Sequence, residues 1–378
     1  MSAVGFALLG HGFMGAAHSR ALHSLRAMTP ATRPQLVSVC GRDPVAVEAF
    51  AERYGWQAGL TDWHEQVADE RAAVFDNAAP NHMHLEPTIA AIRTGRHVLC
   101  EKPLGRSATE ARRLWLEADR AGVVHMCAFN LRFLPAVRLA HDLLATGELG
   151  EPTHFRGRFL ASSALRDDQR RTWRFRRSDA GSGAVGDLGS HLVDLARYLV
   201  DEPVTASAFT ATFVGERDGA TVDVDDAFSA VVGFDGGAIG TLEASRAAGR
   251  RSNELSFEID GTRGSLSFRI DRLNELELIT ERKHSRRIDV TDPSHPLLEL
   301  WWPEPGHAIG WGASFVHELR HLIAAICDGG SVRPHGADFE DGYRCAEACD
   351  AILRAAESGQ REAVEYRQLP VTARGTAP

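Results

Sequence analysis

Lys102, in the run Glu101-Lys102-Pro103, is one of only two lysines among 42 basic residues; the other is Lys283. A lysine differs from an arginine in that its pKa can fall far enough for it to share or exchange a proton. The following proline restricts the backbone, with a cis bond available to it, and so aims the side chain. A salt-bridged surface lysine is the bland alternative, and the scarcity of lysine favours the catalytic one. Asp187 and His191 stand at i and i+4 in the glycine-rich segment 181–194, one face and one turn apart if the segment is helical. A carboxylate beside an imidazole orients the ring and raises its basicity, as a general base for an alcohol proton requires. Asp194, three residues beyond His191, is placed to serve similarly.

Such groups need elements to present them. Residues 4–9, 36–40, 73–78, 97–100 and 123–128 read as short apolar strands, alternating with helical patterns over 14–27, 44–54, 85–94 and 107–121. Pro44 opens one helix, Ser107 caps another, and Gly95 and Gly122 end two of them. This alternation predicts a doubly wound parallel sheet covered on both faces. Gly10-His11-Gly12-Phe13-Met14-Gly15 lies between the first strand and first helix, the context in which GxGxxG binds a dinucleotide pyrophosphate at a helix N-terminus. The second strand ends in Gly41-Arg42-Asp43, leaving the usual ribose-binding acid position empty; Arg42 suits a 2′-phosphate or an adenine face, so NAD and NADP both stay open. Pro80 and Asn81 follow the third strand and Lys102 the fourth, at strand ends that face the ligand crevice of such a sheet.

Beyond about residue 150 strands follow one another: 153–160, 204–213, 227–234, 238–244, 255–259, 265–270 and 276–280, with a helix over 186–199 inserted. Helices return over 314–327 and 339–356, and the tail from Val371 is expected to fray. The fold class is therefore α/β joined to α+β: a Rossmann-type domain over 1–128 and an open-faced, mainly antiparallel sheet domain over 129–378. That open face predicts a homodimer or homotetramer, since exposed apolar sheet is a liability.

Composition sets limits. The chain is 44% hydrophobic and 25% charged, with a net charge of −9 and both signs mixed along it, which argues against nucleic acid or an anionic membrane as partner. No leader pattern and no apolar run of about 18 residues is present. Six cysteines without a paired CxxC pattern read as free thiols of a reducing cytoplasm. His317-Glu318-Leu319-Arg320-His321 matches the zinc-binding HExxH, but it lacks a convincing third ligand, so no metal is expected. Trp301, Trp302, His307 and Trp311 precede that helix and suit either a cover over a sugar ring or ordinary burial.

Taken in order, GxGxxG, Pro80-Asn81-His82-Met83-His84, Val98-Leu99-Cys100-Glu101-Lys102-Pro103-Leu104 and the Asp187-x-Gly-x-His191-x-x-Asp194 segment resemble the glucose–fructose oxidoreductase/inositol dehydrogenase (Gfo/Idh/MocA) family over nearly the whole chain. The resemblance implies an NAD(P)-dependent dehydrogenase of a ring secondary alcohol in a sugar, glycoside or cyclitol. Lys102 and His191 would be catalytic, with Asp187 supporting His191 and binding substrate. Features around Trp173-Arg174-Phe175 resemble the family's levoglucosan and pyranoside dehydrogenases. The cofactor residues expected are Gly10, Gly12, Phe13, Met14, Gly15, Gly41, Arg42, Pro80, Asn81, His84, Glu101 and Lys102. Those expected for substrate are Asn130, Arg132, Trp173, Arg174, Asp187, His191 and His307. Two departures from the family pattern are His11 within the fingerprint and the polar strand end Asp76-Asn77. The alternatives are carbonyl reduction by NADPH and a nucleotide-binding regulator without catalysis.

Overall fold

The computed structural model describes residues 3–29, 33–165, 170–280, 284–302 and 304–367; Lys283 and the tail from Val371 lie outside them. The first part of the chain alternates β1 (Ala3–Leu9), α1 (Phe13–Met28), β2 (Arg33–Cys40), α2 (Pro44–Tyr54), β3 (Ala58–Leu60), α3 (Trp63–Ala68), β4 (Val74–Asn77), α4 (Leu85–Arg93), β5 (His97–Cys100), α5 (Ala108–Ala121) and β6 (His125–Cys127). The strands form one parallel sheet in the order β3-β2-β1-β4-β5-β6. β1 is buried on both faces after its first residue and β4 throughout, as strands covered by helices on both sides must be. Strand order reverses at β1, where Leu9 pairs with both Cys40 and Asn77, and Asn77 with Cys100. The loops that leave these four residues therefore emerge side by side.

After α6 (Pro135–Ala145) come β7 (Pro152–Leu160), α7 (Arg177–Ala180), α8 (Ser190–Leu199), β8 (Pro203–Ala211), β9 (Glu216–Arg217), β10 (Ala220–Thr221), β11 (Ala227–Phe234), β12 (Ile239–Ser245), β13 (Glu254–Gly261), β14 (Ser265–Arg269), β15 (Glu275–Ile279) and β16 (Ser285–Asp289). Helices α9 (Ala313–Asp328) and α10 (Phe339–Ser358) and the two-residue β17 (Glu362–Ala363) complete the order. The second sheet runs β16-β15-β14-β13-β7-β12-β11-β8-β17, antiparallel except between β7 and β12. β11 and β12 alternate buried and exposed residues, so one face packs on α8 and α10. The other face leaves Phe209, Val231 and Ile239 exposed.

Sequence reading did not identify β3, α3, α6, β9, β10, β16 or β17. β3, β9, β10 and β17 are too short to show periodicity, and β16 reads Ser-Arg-Arg-Ile-Asp, with one apolar residue in five. The packing of α9 crosses the expected division at residue 128. Its Phe315, Leu319 and Leu322 share a core with Phe6, Leu8 and Leu22, so a helix from the last fifth of the chain completes the first unit. Cys127 N donates to Ala337 O, and this same return segment closes the β6 edge.

The segment after β6 is tied to α8 and α10 by buried charge. Arg132, just after β6, makes paired bonds to Asp194 on α8 (2.6 and 2.9 Å) and reaches Asp341 on α10 at 3.3 Å. Arg197 bonds Glu202 and Asp341. Burial works against ionising Asp341, but Arg132, Arg197 and Arg333 hold its pKa down at about 2 rather than 3.8. A depressed carboxylate contributes stability that is present above its unfolded pKa and lost as the pH falls towards the folded value. Asp341→Asn is expected to cost about 3 kcal/mol near neutral pH, leaving buried guanidinium groups short of a partner. The deficit against wild type should narrow below about pH 4 in denaturant titrations; a deficit independent of pH contradicts this account.

Candidate active site

The fingerprint glycines answer to different constraints. Gly10 has φ +105°, and a Cβ there would lie 2.6 Å from Ala78 O. A Cβ on Gly15 would lie 2.1 Å from Gly10 O, so α1 crosses the turn too closely for any side chain. At Gly12 a Cβ would meet nothing within 4 Å, and no side chain caps the first amides of α1 there. Free amides above open space at a helix N-terminus fit a pyrophosphate. Phe13 and Met14 begin α1, and Phe13 is exposed. His11 turns towards β2: its ring packs edge-on to Phe50 and occupies the space a side chain at residue 41 would need. Asp43 Oδ1 accepts from Val45 and Ala46 N–H, capping α2, while Arg42 is exposed and makes no hydrogen bond or ion pair among the described residues.

The loops after β4 and β5 are locked to each other. Asn77 Nδ2 donates to Met83 O and Thr88 Oγ1, and its Oδ1 accepts Ala79 N, so the polar strand end builds its own turn. Pro80 opens the 3-10 turn Asn81–Met83. Asn81 Nδ2 donates to Ala180 O. His84 was expected at the cofactor. It is instead wholly buried, with ring nitrogens 2.9 Å from Pro103 O and 3.0 Å from Ala79 O, and ties one loop to the other. The Lys102–Pro103 bond is cis.

Lys102 Nζ lies 2.7 Å from Asp187 O and 3.2 Å from Asp187 Oδ1. Asp187 sits in a π-helical turn, Val185–Gly189, that runs into α8. That turn is why the i, i+4 geometry read from sequence does not hold. Among the described residues no hydrogen bond joins Asp187 to His191, and His191 Nδ1 is buried without a partner. The Asp187 carboxylate serves Lys102 instead. Burial disfavours its ionised form, but Lys102, Arg174 and Arg246 outweigh that and keep its pKa well below the usual carboxylate range. Burial, reinforced by the Lys102 charge, pushes His191 well below 6.5, while Asp187 pulls weakly the other way. Asp187 raises the basicity of His191 as expected, but burial and Lys102 outweigh it, so His191 is neutral and Asp187 ionised. Phe129 and Phe159 flank the imidazole at 6.2 and 5.9 Å.

Asp225 and Arg246, which no sequence motif singled out, hold this turn. Asp225 accepts Gly183 and Val185 N–H at 2.7 and 2.8 Å through its carboxylate and Ala184 N–H through its carbonyl. Arg246 donates to Asp225 O and to Arg174 O, and Arg174 lies over the Trp173 ring at 4.4 Å. Trp173 and Arg174 therefore belong to the same group as Asp187.

Other expected substrate residues are engaged elsewhere. Arg132 and Asp194 satisfy each other in the buried ion pair, which removes Asp194 as a second partner for His191. Asn130 Nδ2 donates to Ser314 Oγ at 2.8 Å. His307 is exposed, 3.0 Å from Glu304 O, and no bond or ring contact joins it to Lys102, Asp187 or His191 among the described residues. Trp311 stacks on Phe13 at 6.0 Å, placing part of the aromatic loop over the fingerprint. In the HExxH segment, His317 uses both nitrogens, Nε2 accepting from Trp301 Nε1 and Nδ1 facing Phe133 O, while His321 Nε2 faces Val332 O. Those contacts account for both imidazoles without a metal.

Residues 4–129 match the model of an oxidoreductase family with an NAD-binding Rossmann fold, and residues 137–267 match a GFO/IDH/MocA C-terminal domain. The chain is 38% identical over 375 residues to a levoglucosan dehydrogenase of Pseudarthrobacter phenanthrenivorans, covering 92% of this chain and 95% of that protein. An inositol 2-dehydrogenase of Rhizobium meliloti is 26% identical, with 97% and 99% covered. A solved levoglucosan dehydrogenase in complex with NADH and levoglucosan superposes with a TM-score of 0.93 at 36% identity, covering 97% of this chain and all of that one.

The glycine geometry separates two substitutions. Gly15→Ala is expected to destabilise the free protein by about 2 kcal/mol through overpacking. Gly12→Ala should leave its melting temperature nearly unchanged yet weaken NADH binding about tenfold or more, because the new methyl enters only the pyrophosphate space. NADH fluorescence titration and thermal unfolding of both variants check this; equal behaviour of the two would refute it.

Proposed function

The chain belongs to the Gfo/Idh/MocA family of NAD-binding sugar dehydrogenases, and from that premise we propose that it oxidises a ring secondary alcohol of a levoglucosan-like sugar or glycoside. The observation that carries this reading is the Lys102–Asp187 contact beside a neutral His191. In the proposed division of labour, residues 1–128 hold the cofactor and residues 129–378 the substrate. NAD, when bound, would supply the acceptor for the hydride of the carbinol carbon.

The protein's own groups handle the proton. A neutral imidazole has a free lone pair, so His191 removes the hydroxyl proton directly. Lys102 has three N–H donors; two face Asp187, which leaves one for the oxygen on which negative charge develops. Asp187 fixes the ammonium in place and, being ionised, offers its remaining acceptor capacity to a neighbouring sugar hydroxyl. Arg174 on Trp173 forms a further wall of the substrate site. Arg132, Asn130 and His307 have no direct part. The buried thiols support a reducing cytoplasm, and no helix of the described residues is long and apolar enough to cross a membrane. Phe209, Val231 and Ile239 support pairing of the open sheet face with another copy of the chain, as homodimer or homotetramer.

The test is a panel of anhydrosugars, glycosides and inositols, with absorbance of the reduced cofactor as readout. Lys102→Ala and His191→Ala are each expected to cut kcat by about a hundredfold or more while NADH still binds. Turnover near wild type in either variant refutes the assignment. Because His191 is held neutral below its ordinary 6.5, the acid limb of kcat/KM should fall below that pH; an acid limb above it contradicts His191 as the base.

A further inference from the structure

Two features that this reaction leaves unused, the polar end of β4 and the carboxylate of the HExxH segment, meet in one buried cluster. His18 lies on α1, wholly buried, with Nδ1 at 2.9 and 3.0 Å from the two carboxylate oxygens of Asp76. Its Nε2 is 3.3 Å from Glu101 Oε1. Asp76 belongs to β4 and Glu101 directly follows β5, so the ring spans the ends of two adjacent parallel strands, hydrogen-bonded to Asp76 and ion-paired with Glu101, whose Oε1 has no hydrogen-bond donor among the described residues. The other Glu101 oxygen, Oε2, accepts the backbone N–H of Lys102 at 3.0 Å. Phe315 covers the imidazole at 5.6 Å.

A neutral imidazole carries one N–H and serves one of these carboxylates; an imidazolium serves both. Burial works against the charged ring, and the two carboxylates together outweigh it. Glu318 of α9 is the remaining titratable neighbour. It is fully buried with neither oxygen hydrogen-bonded among the described residues, and burial, with Glu101, Asp76 and Asp194 nearby, keeps its proton on. The cluster thus confines its charge to the groups that face the strand ends.

We propose that His18 is a positioning residue for Lys102: by holding Asp76 and Glu101 together it fixes the backbone from which Lys102 reaches Asp187. The inference rests on the reading of Lys102 as the group that meets the reacting oxygen, and it can be tested without any substrate. Because the chain has two lysines, lysine-selective 13C and 15N labelling yields two sets of side-chain signals, assigned with Lys283→Arg. In His18→Gln the Lys102 resonances are expected to move while those of Lys283 stay. On whichever sugar the wild type oxidises, kcat should fall about ten- to a hundredfold with KM little changed. Lys102 signals that coincide with wild type in the folded variant overturn the proposal. If His18→Gln does not fold, Glu101→Gln, which keeps an acceptor for the Lys102 amide but removes the charge facing His18, is read by the same criterion. Absence of turnover in the wild type would sink the substrate reading and leave the NMR comparison intact.

Discussion

The ammonium of Lys102 extends from the end of β5 to the carbonyl and carboxylate of Asp187, and much of the molecule serves to bring those atoms within 3.2 Å. The two residues lie 85 positions apart, one in the loop after β5 and the other in the π turn before α8, so their meeting depends on how these elements are joined. On one side the buried His84 ring lies between the Lys102 loop and the loop after β4, with one ring nitrogen near a carbonyl of each. On the other, Asp225 holds three successive backbone amides at the start of the π turn. Between them runs the buried network of Arg132, Asp194, Arg197 and Asp341. Buried ion pairs of this kind are weak sources of net stability, because desolvation consumes much of the attraction. Their contribution here is registry: each fixes one element against another in a geometry that apolar packing alone leaves free to slide.

The same contact sets protonation states. Lys102, with Arg174 and Arg246, keeps Asp187 ionised, while burial, with the Lys102 charge added, keeps His191 neutral. A chain that paired Asp187 with His191 directly would favour a charged imidazole, which cannot accept a proton. Routing the carboxylate to the lysine, through a turn one residue wider than an α-helix, keeps the imidazole lone pair free.

The parallel sheet was legible because its strands and helices carry strong periodicity and because starts such as Pro44 and Ser107 and stops such as Gly122 stand where helices begin and end. Lys102 was legible through scarcity and strand-end position. The partnership of Asp187 was not, since i, i+4 spacing assumes an α-helix and nothing local marks a π turn. Arg132 and His84 misled for a related reason: a polar residue near a crevice has the same sequence signature whether it faces the ligand or locks the wall behind it. Asp225 and Arg246 carried no motif, and only contacts across more than 40 and 60 residues reveal them. The polar Asp76-Asn77 end was noticed as irregular, and its explanation needed His18 from another element.

The return of α9 to the first sheet has a consequence for biosynthesis. A ribosome releases the dinucleotide-binding strands first, yet Phe6, Leu8 and Leu22 gain their cover from Phe315, Leu319 and Leu322 some three hundred residues later. Until those residues emerge, the nascent N-terminal half presents a raw apolar flank. Vectorial synthesis therefore cannot finish the two units one after the other. The fingerprint helix matures only after Phe315, Leu319 and Leu322 have been made, and the nascent chain must be kept from aggregating through that interval.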